Sequence, residues 1–320
     1  MTVRFPGLDP ATYQRHPMHA LERAWPESNC YSDLWVELLH AYGVGPQGIF
    51  GSTVTQDYEG DQFTFTKPLL EDIERLHGLQ VQELAIYDDL AVHIDRQLAQ
   101  GRLSIVEVDS YFLPDTRGLT YRLAHGKTSV IFNHLDIEAR RAGYFHGPGY
   151  HSLEGEDFEG VFRGYGDEVT PFLPYVEFIK EPAGGVSPAD RTEAGLLLQR
   201  HLALRPASNP LKRFQADFPT QAESVSRREP AFFHLYAFNT LRQFGANFLL
   251  LSDHLSWLDP EAAGVAPADV IAQTAKACQF QLARACARKK FDTLTGALDP
   301  AVQAWDQLMA DLDARWGRAA

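Results

Sequence analysis

Apolar side chains fall at helical spacing behind Cys30: Leu34, Trp35, Leu38 and Leu39 share a face, and Gly43 supplies a stop. Leu69 to His77 and Asp89 to Gln100 also read as helices, the second closed by Gly101 as its C-terminal cap. The period then changes. Leu103 to Val108 alternates as a strand does, until Leu113-Pro114-Asp115 breaks the run. Thr128 to Asn133 and Ala142 to His146 are two further strands, joined by the charged turn Asp136 to Arg141. Helices leading and strands following predict an α+β domain with a small sheet over residues 1–180.

Glu181 to Val186, rich in Pro and Gly, reads as a linker, and residues 181–320 as an all-α helical domain. Segments opening near Pro188, Pro210, Pro230, Pro267 and Pro300 place proline in or near a first turn, where its missing N–H costs nothing. Pro230 to Leu258 is apolar on most of its circumference, as a buried central helix would be. Cys278 and Cys286 lie on the next helix, roughly on one face, and are expected in the core. The longest apolar run, Ala246 to Leu251, is too short and too interrupted to span a membrane.

Charge sharpens the division. The formal net charge of −13 argues against nucleic acid or an anionic membrane as partner. Residues 1–180 hold 14 Lys and Arg against 27 Asp and Glu, while residues 181–320 hold 15 of each. The negative surplus therefore belongs to the first part. Met1 to Pro10 lacks the basic start and apolar core of a signal peptide, and the three cysteines form no Cys-x-x-Cys pair. A reducing, cytoplasmic location is expected. No histidine and carboxylate set at ligand spacing stands out, and no Walker or dinucleotide glycine pattern occurs, so neither a metal nor a bound cofactor is expected.

Cys30 carries the candidate chemistry. A thiol in the first turn of a helix faces unpaired backbone N–H groups and the positive end of the macrodipole, both of which favour the nucleophilic thiolate. Such a nucleophile needs a base. Among twelve histidines, His125 directly opens the Thr128 strand, where an imidazole can face the start of a helix packed on the sheet. Asn29, just before the thiol, is either an N-cap or an oxyanion donor. Asp109 and Tyr111, two apart at the end of a strand, either line the pocket or buttress the His125 loop.

The stretch Val106-Glu107-Val108-Asp109-Ser110-Tyr111-Phe112-Leu113-Pro114, followed by a loop and His125, is similar to the N-terminal domain of the butirosin-type aminoacyl transferases. Trp25 to Tyr31, Tyr58 to Gln62 and Arg242 to Ala246 resemble the bacterial domain-of-unknown-function family 1839, over nearly the whole chain. These resemblances imply a minimal papain-like domain, a leading helix with Cys30 and a small antiparallel sheet, followed by a helical domain. They imply a cysteine-dependent acyltransferase that moves an aminoacyl or acyl group from a carrier-protein phosphopantetheine thioester to an amine acceptor. A thioesterase or amidase on the same fold, or a non-catalytic carrier-binding protein, are the alternatives. Papain-like enzymes place Asp or Asn after the next strand to orient the histidine; here that place holds His146, and Asn133 and Asp136 are the other candidates.

In this reading one of the carboxylates of Glu59 and Asp61, with Gln62 beside them, binds an ammonium group; otherwise they form a charged turn. Arg242, on the apolar central helix, contacts a substrate carboxylate or a pantetheine phosphate, or else makes a structural ion pair. Arg284, Arg288, Lys289 and Lys290 form a basic cluster that suits docking of an acidic carrier protein, or is a solvated helix end.

Overall fold

A computed structural model describes residues 2–162 and 173–317. The chain forms two compact units. The sheet unit comprises Met1–Pro17, Asn29–Pro46 and Ile73–Pro188, and the helical unit Met18–Ser28, Gln47–Asp72 and Ala189–Ala320. The division thus differs from a single cut near residue 180: two excursions from the first part, 18–28 and 47–72, belong to the helical unit. The reason is visible in their side chains. Trp25, Val54, Tyr58 and Phe63 are buried in the same cluster as Phe214, Phe244 and Phe248.

The sheet unit holds β1 (Thr2–Val3), α1 (Cys30–Ala41), β2 (Gln80–Glu83), α3 (Leu90–Ala99), β3 (Leu103–Asp109), β4 (Lys127–Asp136), β5 (Arg141–His146), β6 (Gly149–Glu154), α4 (Glu156–Phe162) and β7 (Val176–Lys180), while α2 (Leu70–His77) carries the chain into it. The strands are antiparallel in the order β2-β7-β3-β4-β5-β6, with β1 also on β4. The sheet is thus larger than the three strands the alternation predicts. In an antiparallel sheet, paired residues share a face and neighbours alternate. Ser129, Ile131 and Phe145 therefore lie on one face, and Thr128, Phe132 and Tyr144 on the other. Helix α1 packs on β4 and β5. The Phe162 ring of α4 lies 4.9 Å from that of Phe132, tilted by 39°, covering the opposite face.

One bulge interrupts β4. Phe132 pairs with Tyr144 and His134 with Gly143, leaving Asn133 as the extra residue. Its amide is satisfied locally: Oδ1 accepts from the Phe5 N–H at 2.7 Å, and Nδ2 donates to the Phe5 carbonyl and the Tyr150 hydroxyl.

The helical unit contains α5 (Arg191–Leu202), α6 (Pro210–Val225), α7 (Pro230–Ala237), α8 (Gln243–Leu258), α9 (Val265–Arg288) and α10 (Asp299–Trp316). A π-helical stretch, Phe238–Arg242, joins α7 to α8, so the segment expected as one helix is continuous but locally widened. Its buried part is α8 with Thr240 and Leu241 of the π-helical stretch; in α7 only Ala237 is buried. Cys278 is fully buried and Cys286 partly so. Among the described residues, no helix is long and apolar enough to cross a membrane.

Gly245 marks a close helix–helix contact in this unit. A β-carbon there would lie 2.6 Å from Cβ of Ala275 and 2.8 Å from the Trp25 ring, which is itself tied by Nε1 to the Ala272 carbonyl at 2.9 Å. Overpacking of this kind destabilises by about 1–3 kcal/mol. Gly245→Ala should lower the urea midpoint accordingly, and an unchanged midpoint would show that the helices can part without penalty.

Candidate active site

Asn29 sets the start of α1. It holds an extended backbone, and its Oδ1 accepts from the N–H groups of Tyr31 at 3.2 Å and Ser32 at 3.0 Å. Asn29 is therefore an N-cap, as its residue type favours. Cys30 is the first helical residue, partly exposed, with Sγ 4.0 Å from Oγ of Ser129 on the underlying strand. The rest of the first turn is anchored to the sheet by the Tyr31 hydroxyl, which donates to Glu177 Oε2 at 2.8 Å. The other Glu177 oxygen accepts from Tyr175 at 2.9 Å. Helix α1 is buried on most of its circumference rather than on one face, Asp33 and Glu37 included. Glu37 is satisfied there by the Tyr13 hydroxyl and the His16 N–H.

His125 precedes β4 and turns back onto the end of β3. Its Nδ1 lies 2.5 Å from Oδ2 of Asp109, and its ring stacks on Tyr111 at 4.5 Å with planes 13° apart. The other Asp109 oxygen accepts from the N–H groups of Tyr111 and Gly126, both at 3.0 Å. Burial pushes the Asp109 carboxyl up, but the hydrogen bonds from His125 and those two amides outweigh it and hold it below the usual carboxylate range. Asp109 is thus a carboxylate at neutral pH, so Nδ1 faces it as the donor and Nε2 is the ring nitrogen turned away from it. The imidazole is 73% exposed.

The register of β3 on β4 relates these two groups. Ser129 pairs with Glu107, and Lys127 with Asp109, all on one face. Cys30 and His125 are on that face but not hydrogen-bonded to each other. Cys30 touches Ser129 and His125 touches Asp109, the partner of Lys127, and Ser129 and Lys127 are two residues, roughly 7 Å, apart along the strand. Lys127 and Glu107 form an ion pair at 2.8 Å. A cleft of about 430 Å³ opens beside His125, lined by Glu107, Asp109, Lys127, Leu173 and Tyr175 among others.

None of the three candidates for orienting His125 does so. Asn133 is committed to the bulge, and Asp136 caps its own turn through the Ala139 N–H. His146 lies on the opposite face, where Nδ1 meets Asp115 Oδ2 at 2.6 Å and Nε2 meets the Thr128 hydroxyl at 2.9 Å. Asp115 also accepts from the Tyr144 hydroxyl at 2.5 Å. Hydroxyl, imidazole and carboxylate stand in the order of a nucleophilic relay, but Thr128 is buried and the network closed, so it pins the Pro114–Thr116 turn to β4 and β5. The orienting role falls to Asp109, whose sequence signal was its place two residues before Tyr111 at a strand end.

The remaining candidates belong to the helical unit. Glu59, Asp61 and Gln62 sit in an exposed turn between the paired Tyr58 and Phe63, with Glu59 accepting from Thr64 Oγ1 at 2.7 Å. They are not part of the sheet unit, because Tyr58 and Phe63 anchor the turn in the other core. Arg242 donates to Glu27 at 3.1 Å and lies 4.8 Å over the Phe238 ring, a structural pairing. Arg284, Arg288 and Lys290 line a common cleft, whereas Lys289 caps α9 and donates to the Ser226 carbonyl at 2.5 Å.

Models of the DUF1839 N-terminal domain and the DUF1839 C-terminal domain match residues 14–181 and 188–314. The chain belongs to this family. No curated protein matches it. The DUF1839 N-terminal domain thus brings Cys30, Asp109 and His125 together in one matched region, and the C-terminal domain contains Arg242 and the basic cluster.

Asp115 gives a pH test of the closed network. Burial pushes its carboxyl up, but hydrogen bonding and charge attraction from His146, then His151 and the Tyr144 hydroxyl, hold it below the usual range. A depressed carboxylate stabilises the fold above its unfolded pKa of about 4, and that contribution fades as pH falls through the lower folded value. Asp115→Asn should reduce stability at neutral pH and flatten its loss below about pH 4. Urea unfolding across that range checks this; parallel curves for mutant and wild type would overturn it.

Proposed function

We propose that the sheet unit catalyses acyl transfer through Cys30, in a papain-like arrangement, from a phosphopantetheine thioester on a carrier protein to a small amine. The reading is supported most by one juxtaposition: a partly exposed thiol at the first residue of α1, on the same sheet face as an imidazole already oriented by Asp109. Cys30 stands at the positive end of the α1 macrodipole. Its sulfur attacks the thioester carbonyl carbon, the donor C–S bond breaks, and the pantetheine leaves as a thiolate, which takes up the proton that His125 removes from the amine in the second step. The acyl group is then held on Cys30. An amine attacks the new thioester, His125 Nε2 takes the amine proton, and the Cys30–carbonyl bond breaks to give an amide and the free thiolate. The absence of a hydrogen bond between Cys30 and His125, each held by its own neighbour on β4 or β3, suits an imidazole that serves the incoming acceptor rather than the resting thiol.

The amides of Tyr31 and Ser32 are spent on the Asn29 side-chain oxygen, which leaves the Cys30 N–H as the first-turn donor for the oxyanion. Hydrolysis is a second reading, favoured by the exposure of His125, which lets water compete with an amine. A cytoplasmic setting, where thiols stay reduced, suits both readings.

Mixing the full chain with a panel of aminoacyl-carrier thioesters and measuring intact mass tests the covalent step. Wild type should gain the acyl mass and Cys30→Ala should not; no gain with any donor overturns the proposal. His125→Ala should retain the adduct but slow its transfer to an amine by roughly 10²–10⁴-fold. Asp109→Asn should slow transfer in the same direction and shift its pH profile, since a neutral amide no longer fixes the Nδ1 proton. Loss of the adduct without any amine present would assign hydrolysis instead.

A further inference from the structure

The C-terminal end of α9 forms a second concave site, independent of the thiol chemistry. Arg284 and Arg288 are one turn apart and share a face of the helix. Lys289 then adopts a left-handed backbone, φ 55°, as the C-cap, and both its own N–H and that of Lys290 return to the Ala285 carbonyl. This closing turn brings Lys290 to the side of the two arginines. The segment Thr293–Ala297 supplies the far wall, and the cleft between has a volume of about 440 Å³. Thr293 and Thr295 add hydroxyls to the lining.

Charge makes this cleft unusual for the molecule. In a chain with 42 acidic against 29 basic residues, cations should find partners easily. Within the same unit Arg200, Arg205, Arg213, Arg227, Arg242 and Arg315 are each paired with a carboxylate. Arg284, Arg288 and Lys290, by contrast, have no ion pair among the described residues. The nearby Asp299 makes no ion pair with them; one of its oxygens accepts from Gln215 at 2.5 Å. Three uncompensated cations around one hollow raise the local potential enough to select an anion. Guanidinium groups match phosphate oxygens geometrically, and an ammonium adds a point charge.

We propose that this cleft binds a small phosphomonoester, its dianionic phosphoryl group held by Arg284, Arg288 and Lys290 and its organic part by the remaining volume. A dianion uses three cations more fully than the single charge of a phosphodiester does. The volume falls within the range of small-molecule sites and exceeds what a bare phosphate needs.

Titration of the full chain at neutral pH and low salt, followed by calorimetry with inorganic phosphate and separately with dimethyl phosphate, tests this. Phosphate should bind saturably, and dimethyl phosphate more weakly by roughly tenfold. Arg284→Gln with Arg288→Gln should weaken phosphate binding by at least about tenfold. Lys212→Gln, an exposed cation on α6, is the control for diffuse charge and should leave it unchanged. Circular dichroism of each variant reports folding. The proposal is overturned by absence of saturable phosphate uptake, by equal affinity for the diester, or by an equal loss in the Lys212 variant. The readout involves no acyl group, so it stands or fails separately from the role of Cys30.

Discussion

The pairing of β3 with β4 is the constraint from which the site follows. Each cross-strand partner is fixed by backbone hydrogen bonds, and a slip of one residue would turn every side chain to the other face. The observed register sets Ser129 beneath the thiol and Asp109 beside Lys127, within reach of the imidazole that precedes the strand. The same alternation sends Thr128 and His146 to the opposite face, where they meet Asp115. Two histidine–carboxylate pairs thus sit back to back on one sheet. One is open to solvent and the other closed by a tyrosine and a threonine.

A second constraint acts at the head of α1. Trp25 is buried with the aromatic side chains of the helical unit, and the chain crosses into the sheet unit between Ser28 and Asn29. Asn29 then spends its side-chain oxygen on the first-turn amides. The thiol is therefore placed by a cap that costs the site two potential oxyanion donors. Glu177 compensates in position rather than in charge, tying Tyr31 of the helix to Tyr175 at the edge of the cleft.

Helix α1, the strands β3 to β5 and the run of C-terminal helices were legible because each carries an apolar pattern and is bounded by Gly, Pro or a charged turn. Strands β2 and β7 were not. Three of the four β2 residues are exposed, and its partner lies about a hundred residues away, so no local alternation marks it. The partner of His125 was hidden for a related reason. Asp109 is 16 residues upstream, at the end of the preceding strand, and becomes the orienting group only because the chain folds back through a short 3₁₀ turn. Asn133 looked equally suited by residue type, but the bulge claims it. The charged turn at Glu59 to Gln62 lay in a segment whose aromatic anchors serve the helical unit, and sequence distance gave no sign of that.

The interleaving of the two units bears on how the protein is made. Trp25, Val54, Tyr58 and Phe63 emerge from the ribosome early, yet the aromatic and aliphatic side chains that cover them follow Leu198. For most of synthesis these four have no native shelter, and the contacts that finally bury them close loops well over a hundred residues long. Such topology folds late and exposes greasy surface in the meantime. The nascent chain should therefore depend on chaperone protection until its C-terminal helices are complete.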